Sequence, residues 1–145
     1  MCDCAICHRV EQLQKGANPA LIYEFPHSFF IMGDHQYYSG YCLLLYKQHV
    51  RELHELNTEL QTALHRELMQ ATSAIVKTFS PWKINHCCLG NTDEHVHWHI
   101  IPRYLSDPDY RKHPWLHADE FSAHFIDDAR KAEIAALIKV NLPIK

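Results

Sequence analysis

The chain has 145 residues, 47% of them hydrophobic and 21% charged, with a formal net charge of -3; that is enough apolar material for one domain with one core. The slight negative charge excludes a broadly basic surface, so no nucleic-acid partner is expected and an anionic ligand must be held by local donors. No apolar run approaches the roughly 20 residues that cross a bilayer, so no membrane partner is expected either.

Met1-Cys2-Asp3-Cys4 lacks the basic and apolar regions of a secretory signal. The expectation is a cytoplasmic, reducing location, where six cysteines serve as ligands or free thiols rather than disulfides. Cys4-Ala5-Ile6-Cys7 has the C-x-x-C spacing that lets two thiolates reach one tetrahedral ion. The rival reading, a redox dithiol, lacks the preceding strand of a thioredoxin-like site. Residues 6–14 read as a short helix with Ile6, Val10 and Leu13 on one side, ending at Lys15-Gly16.

Residues 20–25 and 29–32 read as two strands split by Pro26-His27. Gly33-Asp34-His35-Gln36 and Ser39-Gly40 supply turns, and residues 41–47 a buried strand. Residues 56–79 read as a long helix, on a stripe of Leu53, Leu56, Leu60, Leu64, Leu68, Ala71 and Ile75 that steps by three or four. Asn57 or Thr58 caps its start, Thr58 with Gln61 has capping-box spacing, and Pro81 stops it. His54 and His65 lie off the stripe and are read as solvated. Residues 82–89 read as a strand, joined through a five-residue loop at 90–94 to the strand that follows, as an antiparallel hairpin. Cys42, Cys87 and Cys88 fall in apolar strand contexts as buried thiols. After Tyr104 come a turn at 106–109, an irregular segment around Pro114-Trp115, and a last helix to Lys139 capped by Asp127 or Asp128, with Ala132, Ala135, Ile138 and Leu142 inward.

The most informative stretch is His95-Val96-His97-Trp98-His99-Ile100-Ile101-Pro102-Arg103. Period two is the strand period, so the three histidines line one face and Val96, Trp98 and Ile100 the other. A neutral imidazole attacks phosphorus well when its other nitrogen carries a proton held by a carbonyl. Asn91 and Thr92, just before the histidines, are side-chain donors for phosphate or simply turn residues. Asp34 is an acceptor for ribose hydroxyls or a turn residue. A second chemistry is open to the same stretch: His95 and His97 with another ligand can hold a catalytic metal that activates water. There is no G-x-x-x-x-G-K-[ST] loop and no G-x-G-x-x-G.

The His-apolar-His-apolar-His-apolar-apolar run resembles the signature of the histidine triad (HIT) superfamily of nucleotide hydrolases and transferases. Leu89-Gly90-Asn91 and Ile101-Pro102-Arg103-Tyr104 are most similar to its diadenosine-polyphosphate-hydrolase-like branch. Gly40, Lys47, His49 and Leu53 match the family's glycine, apolar strand, Lys, His and Leu, and the resemblance runs from Cys4 to about Tyr104. It implies an α+β fold over a single domain at 1–145, with its core at about 4–104 and an extension at 105–145. The fold is an antiparallel sheet of about five strands with one long helix and short terminal helices. It implies that His97 is the nucleophile at the α-phosphate of a dinucleoside polyphosphate (Ap4A-type) or a nucleoside phosphoramidate, forming a nucleotidyl-histidine. His99 is implied as a contact to phosphate or the bridging oxygen, with water as final acceptor because the transferase branch carries Gln there. Asn85 is implied near the phosphates, and Ile22, Phe25, Pro26, His27 and Leu43 either near the nucleoside or packed in the core. Metal-containing members imply a structural zinc held by Cys4, Cys7, His49 and His95, with Cys2 as a substitute for Cys4. A homodimer through the long helix and the hairpin strand is also implied. The family's Gly-Gln pair is replaced by Gly90-Asn91. The remaining alternative is a nucleotide-binding module without turnover.

Overall fold

The computed structural model describes residues 2–144; Met1 and Lys145, the ends of the domain expected over 1–145, lie outside the described residues. Helix α1 (Ala5–Gln14) buries Ile6, Val10 and Leu13, one face at helical spacing. Its N-cap is Cys4, whose side chain makes no cap hydrogen bond, so the sulfur is free for another use. Strands β1 (Leu21–Glu24), β2 (Ser28–Met32) and β3 (Cys42–Tyr46) follow as an antiparallel meander. Every residue of β2 and β3 is buried, which accounts for their unbroken apolar character.

A 3₁₀ turn (Leu53–Glu55) leads into the long helix α2 (Thr58–Phe79). The cap is Asn57, whose side chain accepts from the Leu60 amide at 2.9 Å. The capping-box pattern expected at Thr58 and Gln61 occurs one turn earlier, between Glu52 and Glu55. The stripe of α2 buries Leu64, Leu68, Ala71 and Ile75 as expected and adds Glu67. That carboxylate is not orphaned: it accepts from Ser28 Oγ at 2.5 Å and from the His27 amide at 3.1 Å, which pins α2 to the start of β2. His54 and His65 are exposed. The helix ends at Ser80, in the left-handed region at φ 49°, before Pro81.

Strands β4 (Lys83–Cys87) and β5 (His97–Arg103) complete a five-stranded sheet of order β1-β2-β3-β5-β4, all neighbours antiparallel. The hairpin loop is longer than five residues: β4 ends at Cys87 and β5 begins at His97, because Val96 bonds back to Val50 and Tyr46 instead of to β4. His95 therefore precedes the strand instead of lying on it. The expected inward set of the last helix, α3 (Asp128–Lys139), is corrected too. Ile134, Ala135 and Ile138 are buried and Leu142 is half-buried, but Ala132 is exposed. Asp127 is the cap, accepting from the Arg130 amide at 2.8 Å. The segment around Pro114 holds two short 3₁₀ pieces within Pro114–His124, broken at His117, where φ -107° and ψ 25° are non-helical. Cys42 is buried as expected, Cys87 half-buried and Cys88 exposed.

Candidate active site

Strand β5 lies between β3 and β4, so the histidines sit on an interior strand: Leu45 pairs with His97, and Leu43 and Cys87 both pair with His99. His97 is buried, and its Nδ1 lies 2.6 Å from the His95 carbonyl oxygen. A carbonyl only accepts, so this nitrogen carries the proton and Nε2 keeps its lone pair. His99 is half-buried, with Nδ1 2.7 Å from the Tyr41 hydroxyl and the Trp115 ring edge-on at 4.9 Å. Burial, with the neighbouring His97 and His35, holds the His99 pKa down at about 4.

Two cavities meet at this pair. One, of about 300 Å³, is lined by Leu89, Gly90, Asn91, Thr92, Asp93 and Trp115 together with His97 and His99. The other, of about 210 Å³, is lined by Ala5, Ile6, Arg9, Asp34, Tyr41, Leu43 and Asp93 with the same two histidines. The structure thus brings Asn91, Thr92 and Asp34 to His97 and His99. A larger open groove of about 510 Å³ is lined by Arg9, Lys15, Asp34 and Lys131 and does not reach the histidines.

Asp34 does not face its cavity alone. Arg9 Nη2 lies 3.0 Å from one carboxylate oxygen and Lys131 Nζ 3.5 Å from the other. Burial raises the Asp34 pKa, but the two cations outweigh it and hold the carboxyl below its ordinary value. Asn85 departs from expectation. It shares the histidine face, but its Oδ1 accepts from Arg103 Nη1 at 3.0 Å and it lines neither cavity. Of the residues expected near a nucleoside, Leu43 lines the second cavity. Ile22 and Phe25 are packed into the core, and the wall comes from α1.

His95 is turned the other way from His97. Its Nε2 donates to the Tyr46 carbonyl at 2.8 Å, so Nδ1 is bare and faces two sulfurs: Cys7 Sγ at 3.4 Å and Cys4 Sγ at 3.7 Å. His49 Nδ1 lies 3.4 Å from Cys7 Sγ and 3.3 Å from Cys2 Sγ. Tetrahedral zinc with ordinary Zn–S and Zn–N bonds places S and N ligands about 3.5 Å apart. The donor set therefore fits that ion, and the Tyr46 carbonyl supplies the outer hydrogen bond a metal-bound imidazole needs. Cys2, Cys4, Cys7 and His49 lie within 4.8 Å of one another, while His95 joins through Cys4 and Cys7, so five donors surround four positions. Burial and the neighbouring Cys2 and Cys4 push the Cys7 thiol up to about 12, a crowding of sulfurs that a cation relieves. This group, the one metal-capable group among the described residues, contains neither His97 nor His99.

Four site residues escape sequence reasoning. Tyr41 reads as the start of a buried strand, Arg9 as a helix-surface cation and Asp93 as a loop residue. Trp115 lies beyond the motif, and it arrives through Arg103. That guanidinium is buried, bonds Asp107 Oδ2 at 3.1 Å and the Lys112 carbonyl at 2.7 Å, and lies 4.8 Å over the Tyr38 ring. Tyr38 in turn donates to the Pro114 carbonyl at 2.8 Å, next to Trp115.

The model of the HIT domain family matches residues 14–105. Among curated proteins, "Protein hit" of Bacillus subtilis (strain 168) is 28% identical over 109 residues, covering 70% of this chain and 74% of that one. Among solved structures, a histidine triad (HIT) protein of Sinorhizobium meliloti 1021 superposes with a TM-score of 0.74 at 22% identity, covering 91% of this chain and 94% of that one. A Zn-bound histidine triad family protein of Mycobacterium smegmatis has a TM-score of 0.67 at 19% identity, covering 96% and 92%. The diadenosine triphosphate hydrolase of Plasmodium falciparum, in complex with Cyclomarin A, has a TM-score of 0.62 at 18% identity, covering 86% and 76%.

Proposed function

The chain belongs to the HIT domain family, and on that premise we propose that it is a nucleotidyl hydrolase cleaving at the α-phosphate of dinucleoside polyphosphates or nucleoside phosphoramidates. The observation that carries the reading is the 2.6 Å contact of His97 Nδ1 with the His95 carbonyl, which leaves Nε2 as an unprotonated nucleophile between two cavities. Nε2 attacks the α-phosphorus and the bond to the leaving group breaks, a polyphosphate departing as an oxyanion and a phosphoramidate nitrogen as the amine with a proton taken from solvent; water then cleaves the phosphorus–nitrogen bond to His97, releasing the nucleotide and a proton and restoring His97. His99 contacts phosphate or the bridging oxygen. Asn91 and Thr92 donate to phosphate oxygens, and Asp34 takes the ribose hydroxyls once Arg9 yields. Asn85, bonded to Arg103 and lining neither cavity, has no contact with the phosphates in this reading. The structural neighbour named as a diadenosine triphosphate hydrolase supports the substrate class.

Cys4, Cys7, His49 and His95 hold a structural zinc in this reading, with Cys2 in reach, and the Zn-bound neighbour supports it. Bound there, the ion has no open position, and its role is to tie α1 to the strand carrying His97. A homodimer is the proposed assembly. β4 is an edge strand with a solvent-facing side, and Met69, Val76 and Trp82 are exposed apolar residues on and beside α2. Six free thiols support a reducing, cytoplasmic location. No helix of the described residues is long and apolar enough to cross a membrane.

The test is to mix the protein with diadenosine tetraphosphate or adenosine phosphoramidate labelled at the α-phosphate and quench in alkaline denaturant. Wild type is expected to carry label and to turn both substrates over, and His97→Ala to do neither. Equal rates in the two proteins overturn the proposal.

A further inference from the structure

His97 and His99 lie on one strand with ring centroids 5.1 Å apart, yet opposite kinds of partner hold them. The partner of His97 is a carbonyl, which can only accept. The partner of His99 is a hydroxyl, 2.7 Å from Nδ1, which can do either. Its direction follows from its surroundings. Tyr41 is 6% exposed, and its hydroxyl has no other hydrogen-bond partner among the described residues. Accepting from His99 would leave its own proton without a protein acceptor among the described residues. Burial also lifts its pKa far above the ordinary tyrosine value, so the proton stays on.

We propose that Tyr41 is a positioning residue: by donating to Nδ1 of His99 it fixes that ring as an Nε2–H donor, while His97 remains an Nε2 acceptor. The proposal rests on the reading of His97 as nucleophile. It separates the tasks of two imidazoles that the sequence makes look alike. His97 offers an electron pair to phosphorus. His99 offers a hydrogen bond to the bridging or leaving oxygen and keeps its proton, because a polyphosphate departs as an oxyanion.

The geometry of Tyr41 is fixed on several sides. Its ring stacks on His35 at 4.6 Å, and His35 stacks on Phe121 at 4.0 Å. Gly33 lies beneath the ring, where a Cβ would overlap the ring carbons. Across His99, the edge of Trp115 closes the other side. The phenol therefore cannot swing away without opening a packed stack.

The test uses the full chain labelled with ¹⁵N at histidine, with two-bond proton–nitrogen correlation spectra at pH 7.5 and assignment by His97→Ala and His99→Asn. The expected wild-type pattern is a protonated Nε2 and bare Nδ1 for His99, and the reverse for His97. Tyr41→Phe is expected to convert His99 to a mixture of tautomers, leave His97 unchanged, and lower kcat on diadenosine tetraphosphate about tenfold with KM little changed. A proton on Nδ1 of His99 in the wild type overturns the proposal whether or not the variant folds, as does an unaltered His99 pattern in a folded Tyr41→Phe. Wild-type protein with the expected tautomers but no turnover would instead remove the hydrolase reading and leave the Tyr41 assignment standing.

Discussion

Arg103 donates through Nη1 to Asn85 Oδ1 at 3.0 Å and to the Lys112 carbonyl at 2.7 Å, so one buried guanidinium joins β5, β4 and the tail. Removing it takes the cation from Asp107, whose side chain is largely buried, and a donor from three further acceptors, Asn85 Oδ1 and the Lys112 and Asp109 carbonyls. Arg103→Met is expected to destabilise the fold by about 3 kcal/mol, read as a drop in the urea midpoint. Because the tail delivers Trp115 to His99, catalytic rate should fall in conditions where the variant is still folded. A variant as stable and active as wild type would show that the tail holds itself in place.

Gly33 is a prediction about space rather than backbone freedom. Any side chain there meets the Tyr41 ring. Gly33→Ala should cost about 1–3 kcal/mol by overpacking. It should also slow turnover more than it raises KM, because the displaced ring no longer addresses His99. Thermal melts and steady-state kinetics on the same sample check both halves.

Five donors around four positions make the ligand set testable by stoichiometry. Cys2→Ser should retain one zinc per chain by elemental analysis, whereas Cys7→Ser, which faces both imidazoles, should lose it. Stripping the metal with a strong chelator should lower the melting temperature, since the ion's binding energy is folding energy. Label transfer to His97 should persist below that new transition. Loss of transfer with an intact fold would speak for a metal in the chemistry itself.

Acid should weaken the fold in a defined window. His35 and His99 both titrate near 4 in the folded chain, against an ordinary 6.5, chiefly because burial disfavours the imidazolium. In His35 the nearby Asp34 carboxylate works the other way and His124 adds to the depression. The unfolded chain takes up these protons first, so stability is full above about 6.5, falls as pH drops toward about 4, and levels below. Asp34, held below its ordinary value, extends the loss to lower pH. Urea midpoints at pH 7.5, 5.5 and 4.5 measure the slope, and His35→Asn should flatten it; a level profile across that range contradicts the assignment.

The fold was readable in the sequence wherever a period repeated over enough residues. The stripe of α2 and the apolar runs of β2 and β3 are examples, since each face is buried by its own element. The His97–His99 pair was readable because strand alternation survives in the structure from His97 onward. Local chemistry failed where tertiary bonds decide. Val96 bonds to Val50 and pulls His95 out of the strand, toward the sulfurs. The resemblance implies a phosphate role for Asn85, but a buried guanidinium two pairs along the ladder claims its oxygen. Tyr41 and Trp115 could not be found by spacing, because their roles depend on contacts spanning tens of residues.

The placement of β5 inside the sheet has a consequence for motion. Exposing the His99 amide requires opening a ladder in the interior of the sheet, an opening close to global unfolding. The neighbouring residues 90–94 form no ladder and are largely solvent-facing. Hydrogen–deuterium exchange should therefore find two regimes a few ångströms apart, with His97 on the slowest-exchanging strand and Asn91 and Thr92, the phosphate donors of the proposed reaction, on a rapidly exchanging loop.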